Sequence, residues 1–204
     1  VKVLYSPYSP FVRQVLVVAE ERGLAVERVA AQVSPIAHNA EVATSNPAGK
    51  IPALILADGT TLFDSRVIIE YLDALPGRVR LVPEVGPARW RALTQQSMAN
   101  ALLDAAVLLR YETFLRPEAL RWPDWTAGQW TKIETSLDAF EHAYAQASST
   151  DPLEVGAIAV GCALGYLDLR FADHAWRERR PQLAGWYARF QERPSMKSTA
   201  PPAA

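Results

Sequence analysis

Apolar positions along the first third of the chain change their period repeatedly. Short apolar or alternating runs at 2–5, 26–31, 53–56 and 61–63 read as strands. Between them Val12, Val15, Leu16 and Ala19 recur at three- and four-residue spacing, which predicts a helix from Pro10 with one buried face. A further helix is predicted around Ala40, and another after Ser65, where Val67, Ile68, Tyr71, Leu72 and Leu75 mark its stripe. Strands interleaved with helices imply a mixed sheet flanked by helices. Pro76-Gly77 ends the last of these helices, and Pro83 and Pro87 stiffen the segment that follows, so 78–88 reads as a linker. Beyond it the pattern is helical throughout, over 88–115, 127–146, 155–171 and 181–191. The tail from Ser195 to Ala204 is low in complexity and is expected to lack order.

Composition narrows the function classes. With 204 residues and 50% hydrophobic content the chain can bury two modest cores. Its 21 basic and 22 acidic residues give a net charge of -1, so no field of one sign draws it to nucleic acid or to an anionic membrane. One cysteine excludes an intrachain disulfide, and the opening residues lack the basic, apolar and small-residue order of a secretory signal; a cytoplasmic location is expected. The nearly charge-free stretch 155–167 is shorter than the ~20 residues a membrane span needs and reads as a buried helix. Cys162 falls within it and is expected to be buried. His38, His142 and His174 have no metal-ligand spacing, and no metal is implied.

The chemistry concentrates in Asn46-Pro47-Ala48-Gly49-Lys50-Ile51-Pro52 and, further on, Asp64-Ser65. A Pro-Gly turn leads into a proline just ahead of a short strand, a candidate position for a cis peptide bond. Such a bond leaves the Ile51 amide and carbonyl free to pair with an extended peptide. Ser65 is expected to cap the following helix, which sets the Asp64 carboxylate beside a helix N-terminus. That pair complements the ammonium and carboxylate of an α-amino acid head group. At the other end of the motif set, Ser9-Pro10 has the grammar of a helix start. On its own this is a cap. A thiolate placed there would feel the positive helix terminus and accept the serine's hydrogen bond, and ionising a thiol of pKa ~8.5 at pH 7 needs about 2 kcal/mol, within reach of both together.

With Tyr5-Ser6-Pro7-Tyr8-Ser9-Pro10-Phe11-Val12-Arg13 added, these residues resemble the glutathione-binding domain of the cytosolic glutathione S-transferase family. Arg110-Tyr111-Glu112 and the stretch from Ala163 to Arg170 resemble a bacterial branch of it with a serine at the active-site position. The resemblance implies an α/β thioredoxin-like N-terminal domain with a mixed sheet (1–77), the linker (78–88), and an all-α C-terminal domain (89–204) contributing the electrophile site and the dimer interface. It implies Ser9 as the residue stabilising the thiolate, with Tyr5 and Tyr8 as rivals. Glutathione contacts are implied for Ser9, Phe11, His38, Lys50, Ile51, Pro52, Asp64 and Ser65, and an acceptor pocket near Tyr8, Tyr111 and Trp122. Arg66 and Arg13 are expected in structural ion pairs. The tryptophans, all of which follow the linker, are expected mainly in packing, with the Trp122-Pro123-Asp124-Trp125 run in a loop. Many relatives open the buried helix with Ser or Thr, two residues, then Asp; Glu154 and Ala157 stand there, so that capping box is absent. The expected function is conjugation of glutathione, as co-substrate, to small apolar electrophiles by a homodimer. The alternative is a non-catalytic protein of the same fold used in binding or stress-related interaction.

Overall fold

A computed structural model describes residues 1–148 and 151–202. In chain order its elements are β1 (Lys2–Tyr5), α1 (Pro10–Arg22), β2 (Glu27–Ala30), α2 (Ala40–Ser45), β3 (Ala53–Ile55), β4 (Thr61–Leu62), α3 (Ser65–Ala74) and α4 (Gly86–Phe114). There follow α5 (Pro123–Tyr144), α6 (Val155–Arg170), α7 (Pro181–Phe190) and α8 (Pro194–Ser198). Val1–Trp90 together with Pro194–Pro202 form one compact unit, and Arg91–Arg193 form a second.

The first unit is the thioredoxin-like one. Its four strands lie in the order β2-β1-β3-β4. β1 runs parallel to β2, with Tyr5 opposite Ala30, and antiparallel to β3, with Leu4 opposite Ala53. β3 is antiparallel to β4, with Leu54 opposite Leu62. α1 buries Val12, Val15, Leu16 and Ala19 as the spacing predicts, and Val17, Val18 and Gln14 besides, because it is covered on more than one side. α3, packed on α1, buries Ile68, Ile69 and Leu72. Val67, expected in that stripe, is instead 49% exposed.

The segment after α3 is clamped as well as stiffened by proline. Arg22 and Asp73 are both buried and form an ion pair, Nε to Oδ1 at 3.4 Å. The same carboxylate accepts the Leu81 N–H (2.8 Å) and the Val82 N–H (3.1 Å), while the Arg22 guanidinium donates to the carbonyls of Leu75 and Arg78. Gly77 fits only as glycine: a Cβ there would lie 2.7 Å from the Arg22 carbonyl oxygen. The tail also departs from expectation. Its first residues form α8, which lies on α1: Arg13 donates to the Met196 carbonyl (2.9 Å), Ser195 Oγ to Glu21 (2.6 Å) and Ser198 Oγ to Glu20. Short polar side chains that look featureless in sequence here act as hydrogen-bond partners. Residues 203 and 204 lie outside the described residues.

The second unit is helical. Gly156 lets α6 approach α4, since a Cβ would fall 2.9 Å from the Ala92 carbonyl oxygen. α6 is buried from Val155 to Leu167, Cys162 included, except at the half-buried Ala157. No side chain caps its start; Glu154 pairs with Arg91 instead (3.4 Å), in keeping with the missing capping box. α5 and α7 are joined through Arg180, 1% exposed, which donates to Asp138 and Glu134. Trp176 and Trp186 are buried in this unit, whereas Trp90 and Trp122 are exposed. The Trp122–Trp125 run is not a loop: Pro123 begins α5, its missing N–H costing nothing in a first turn.

Candidate functional site

Segments far apart in sequence leave the first unit's sheet at one end. β1 and β2 finish there, antiparallel β3 starts there, and β4 finishes there. Ser9 follows β1, Lys50, Ile51 and Pro52 lead into β3, and Asp64 and Ser65 follow β4, so the register brings these positions to one end, while His38 lies in the longer loop between β2 and α2.

Asn46, 3% exposed, builds the turn ahead of β3. Its Oδ1 accepts the Ala48 N–H (3.1 Å), and its Nδ2 donates to the Lys50 carbonyl (2.8 Å). Gly49 closes the turn at φ +65°, donating its N–H to the Asn46 carbonyl (2.8 Å), and a Cβ on it would lie 3.8 Å from His38 Nδ1. The role of Asn46 was not anticipated, though an Asn-Pro-x-Gly sequence is a turn signal that can reveal it. The Lys50 side chain is exposed, Ile51 and Pro52 are buried, and the Ile51–Pro52 peptide is cis, as its position suggested. Among the described residues the Ile51 N–H and C=O take no part in a loop hydrogen bond to the backbone.

At α3 the cap is Asp64, not Ser65. Asp64 has extended backbone and its Oδ1 accepts the Arg66 N–H (3.0 Å); Ser65 is the first helical residue and is 2% exposed. An aspartate one position earlier has the same reach as the serine and adds a charge favourable at a helix N-terminus. Arg66 Nη2 pairs with Asp64 Oδ2 at 2.9 Å on the surface, the ion pair expected of Arg66. Burial raises the Asp64 carboxyl, but the hydrogen bonds and charge of Arg66 outweigh it and hold the group below its ordinary value. Arg13, by contrast, holds a tail carbonyl rather than a carboxylate.

Ser9 caps α1, with Pro10 at the first helical position. Its Oγ accepts the Val12 N–H at 3.3 Å, which leaves the hydroxyl proton available to donate. A cavity beside it is lined by Tyr5, Ser6, Ser9 and Arg13 and, from the tail, by Ser198 and Thr199. Phe11 is half-buried on the first turn of α1, Tyr8 is 40% exposed, and Tyr5 ends β1 with the Arg28 guanidinium 6.0 Å from its ring centre.

In the second unit, Tyr111 lies near the end of α4 and Trp122 precedes α5. Their neighbour Glu112 accepts Arg116 Nε (2.7 Å) and the Trp122 N–H (3.2 Å), closing the loop between the two helices. Tyr111 is grouped with Arg110, Tyr166 and Arg170. Burial pushes the Tyr166 phenol up to about 12 against the opposing charge of Arg170, and burial raises Tyr111 as well. Both phenols are therefore neutral at physiological pH. Among the described residues no cluster of His, Cys, Asp and Glu is assembled to hold a metal ion, and no helix is long and apolar enough to cross a membrane.

A sheet of thioredoxin-like topology with a cis-proline turn and two capped helix N-termini at one end, followed by a helical unit, defines the class of fold. Residues 8–75 match the N-terminal domain of glutathione S-transferases and residues 123–189 match their C-terminal domain. The uncharacterized GST-like protein YibF of Escherichia coli is 31% identical, with 100% of each chain covered. A glutathione transferase family member from Pseudomonas fluorescens Pf-5, crystallised with bound glutathione, is 45% identical with a TM-score of 0.95, covering 99% of each chain. A second structure of a family member from that organism, with bound S-(propanoic acid)-glutathione, is 44% identical with a TM-score of 0.90, covering 98% of this chain and 99% of that one. The chain belongs to the glutathione S-transferase family.

Proposed function

We propose that this protein is a glutathione transferase that binds glutathione at the sheet end of its first unit, ionises the thiol beside Ser9 and conjugates it to a small, largely apolar electrophile. The observation that carries the reading is the convergence of a capping serine with a donatable proton, an Ile51 backbone edge that makes no loop hydrogen bond to backbone among the described residues, and the Asp64-Ser65 helix start at one end of one sheet. The Ile51 N–H and C=O pair with the cysteinyl residue of the extended tripeptide, as an added strand does. Asp64 takes the glutamyl ammonium, and the α3 N-terminus with Ser65 takes the glutamyl carboxylate. Lys50 and His38 meet the glycyl carboxylate, and Phe11 packs beside the peptide.

Ser9 donates to the sulfur, and the α1 N-terminus adds its positive potential. A charge-assisted hydrogen bond is worth about 1.5–3 kcal/mol and a helix terminus about 0.3–1 kcal/mol, enough for the roughly 2 kcal/mol that ionisation requires. The thiol proton passes to water. With an aryl halide, the carbon–sulfur bond forms, the carbon–halogen bond breaks, and halide leaves with the electron pair. Tyr8, in the same unit as Ser9, supplies acceptor-facing surface, and the protein works as a cytoplasmic homodimer, for which sedimentation equilibrium is the test. Steady-state turnover of glutathione with 1-chloro-2,4-dinitrobenzene, beside a calorimetric glutathione isotherm, tests the core of the proposal. Binding without turnover would instead favour the non-catalytic reading. That reading draws on one observation: Arg66 already engages both oxygens of the Asp64 carboxylate.

A further inference from the structure

We propose that the cavity beside Ser9 binds a small oxyanion, a phosphate or a short carboxylate, and that an anion held there opposes thiolate formation at Ser9. The effect on the thiolate rests on the transferase reading above; the anion site itself does not.

The cavity lies wholly within the first unit, between the end of β1, α1, β2 and the tail. β1 stands between β2 and β3 in the sheet, and Ile51 and Asp64 belong to the β3–β4 side. Arg28 on β2 and the tail residues therefore place the cavity on the opposite flank of β1, with Ser9 among its lining residues. Its volume is about 280 Å³, mouth included. Sites for drug-sized ligands run to ~300–1,000 Å³, so this one suits an ion of a few heavy atoms.

Charge selects the ligand. The charged side chains lining the cavity are Arg13 and Arg28, and among the described residues no carboxylate lines it. Arg28 is exposed and shares Glu20 with Ser198, its Nη2 lying 3.3 Å from Glu20 Oε1. Arg13 meets a carbonyl instead: its Nη2 donates to Met196, while its Nε is buried and has no acceptor among the described residues. A guanidinium N–H sealed from the surface is ordinarily satisfied by a bound water or a ligand. Water answers the hydrogen bond alone, whereas an oxyanion answers the hydrogen bond and the charge together.

Neutral donors complete the set. Ser6 Oγ accepts the Tyr8 N–H (3.4 Å) and keeps its own proton to give. Tyr5 adds a phenol from the end of β1. Ser198 and Thr199 have their protons committed to Glu20 and to the Ser195 carbonyl, so they wall the cavity without donating to its occupant. Because Ser9 lines the same space, a negative charge there repels a thiolate held by Ser9 and favours the protonated thiol.

The test follows the backbone amide shifts of Ser6, Ser9 and Arg13 while inorganic phosphate, and separately acetate, is titrated into the full chain without glutathione. Sodium chloride at matched ionic strength is the control. Saturable shifts at these residues with phosphate or acetate, and none with chloride, are expected; saturation by both marks a general oxyanion site, and saturation by one names the ligand. Arg13→Gln should weaken binding about tenfold, the effect of one charge-assisted hydrogen bond, and Ser6→Ala about threefold. Where Arg13→Gln does not fold, Ser6→Ala decides alone. Shifts that match those in chloride, that miss these three residues, or that keep their affinity in the folded variants overturn the site. In the glutathione complex, a saturating anion should raise the bound-thiol pKa by roughly one unit. An anion that binds but leaves that pKa in place overturns the effect on the thiolate. A chain that binds the anion and not glutathione supports the site, and there the transferase reading fails by itself.

Discussion

Arg66 holds the carboxylate that caps its own helix: its N–H donates to Asp64 Oδ1 at 3.0 Å and its Nη2 reaches Oδ2 at 2.9 Å. A glutamyl ammonium must therefore share Asp64 with a side chain already present. Exposed pairs of this kind are worth only ~0–1 kcal/mol, while a charge-assisted ligand contact is worth about 1.5–3 kcal/mol, so the ligand wins. Asp64→Asn should raise KM for glutathione roughly ten- to a hundred-fold and spare kcat, because the contact is as strong in the ground state as in the transition state. Arg66→Ala should lower KM by up to about fivefold. A des-amino glutathione that loses as much affinity as glutathione in Asp64→Asn would mean that Asp64 only caps the helix.

The same carboxylate fixes a pH prediction. Its folded pKa lies below the ordinary 3.8, with burial raising it and the Arg66 hydrogen bonds and charge lowering it further. A depressed pKa contributes stability that is fully present above the unfolded value and is lost only as pH falls through the folded one. Asp64 is thus charged, free or bound, from about pH 8 to about pH 5. KM for glutathione should therefore not rise as pH falls across that range, while kcat falls as the bound thiolate is protonated. A KM that climbs tenfold on acidification to about pH 5 would assign the ammonium contact to a group that titrates near neutrality.

Ser9→Ala should leave glutathione binding nearly intact and lower kcat. The hydroxyl meets the sulfur, and the peptide's charged ends are held elsewhere, so its loss should raise the pKa of the bound thiol by about one to two units. Thiolate absorbance near 240 nm, titrated against pH in the glutathione complex, reads this directly. A pKa unmoved in Ser9→Ala, or moved further in Tyr8→Phe, would transfer the role to the tyrosine.

What the sequence disclosed depended on how local each signal was. Ser9-Pro10, the Ile51–Pro52 peptide and the helical stripes are written in residues a few positions apart, and the elements formed within a residue or a few of the expected bounds. The α3 cap was displaced by one position because aspartate and serine serve equally well there, and only the backbone shows which residue leaves the helical φ, ψ. Asn46 spans four residues and was legible as a turn but not as the brace on the Lys50 carbonyl. Arg22 with Asp73 and Arg13 with Met196 join residues distant in the chain, and no periodicity reports such pairs.

Arg22 and Asp73 should be the costliest polar pair to break in the first unit. Both are buried, and Asp73 also satisfies the N–H groups of Leu81 and Val82. Removing one partner of a buried pair leaves an uncompensated charge, at a typical cost of about 3–5 kcal/mol. Asp73→Asn should accordingly shift the urea midpoint of the first unit strongly downward, whereas Asp64→Asn, on the surface, should shift it little. Comparable midpoints for the two variants would mean that the clamp relaxes or hydrates without loss.

The tail supplies the last prediction. α8 is tied to α1 through Arg13, Glu20 and Glu21, and α1 is the helix whose first turn Ser9 caps. Ser198 and Thr199 also line the cavity beside Ser9. Deleting residues 194–204 leaves Arg13 without its carbonyl and opens the α1 surface to water. The loss should appear as a lower melting temperature together with a raised bound-thiol pKa, because a looser first turn points fewer dipoles at the sulfur. Replacing only Ser195 and Ser198 with alanine separates the two effects. It removes the hydrogen bonds to Glu21 and Glu20 and keeps the backbone carbonyl for Arg13, so it should lower stability with little change in the thiol pKa. A truncated protein whose melting temperature and thiol pKa both match the full chain would show that α8 is a passenger on α1.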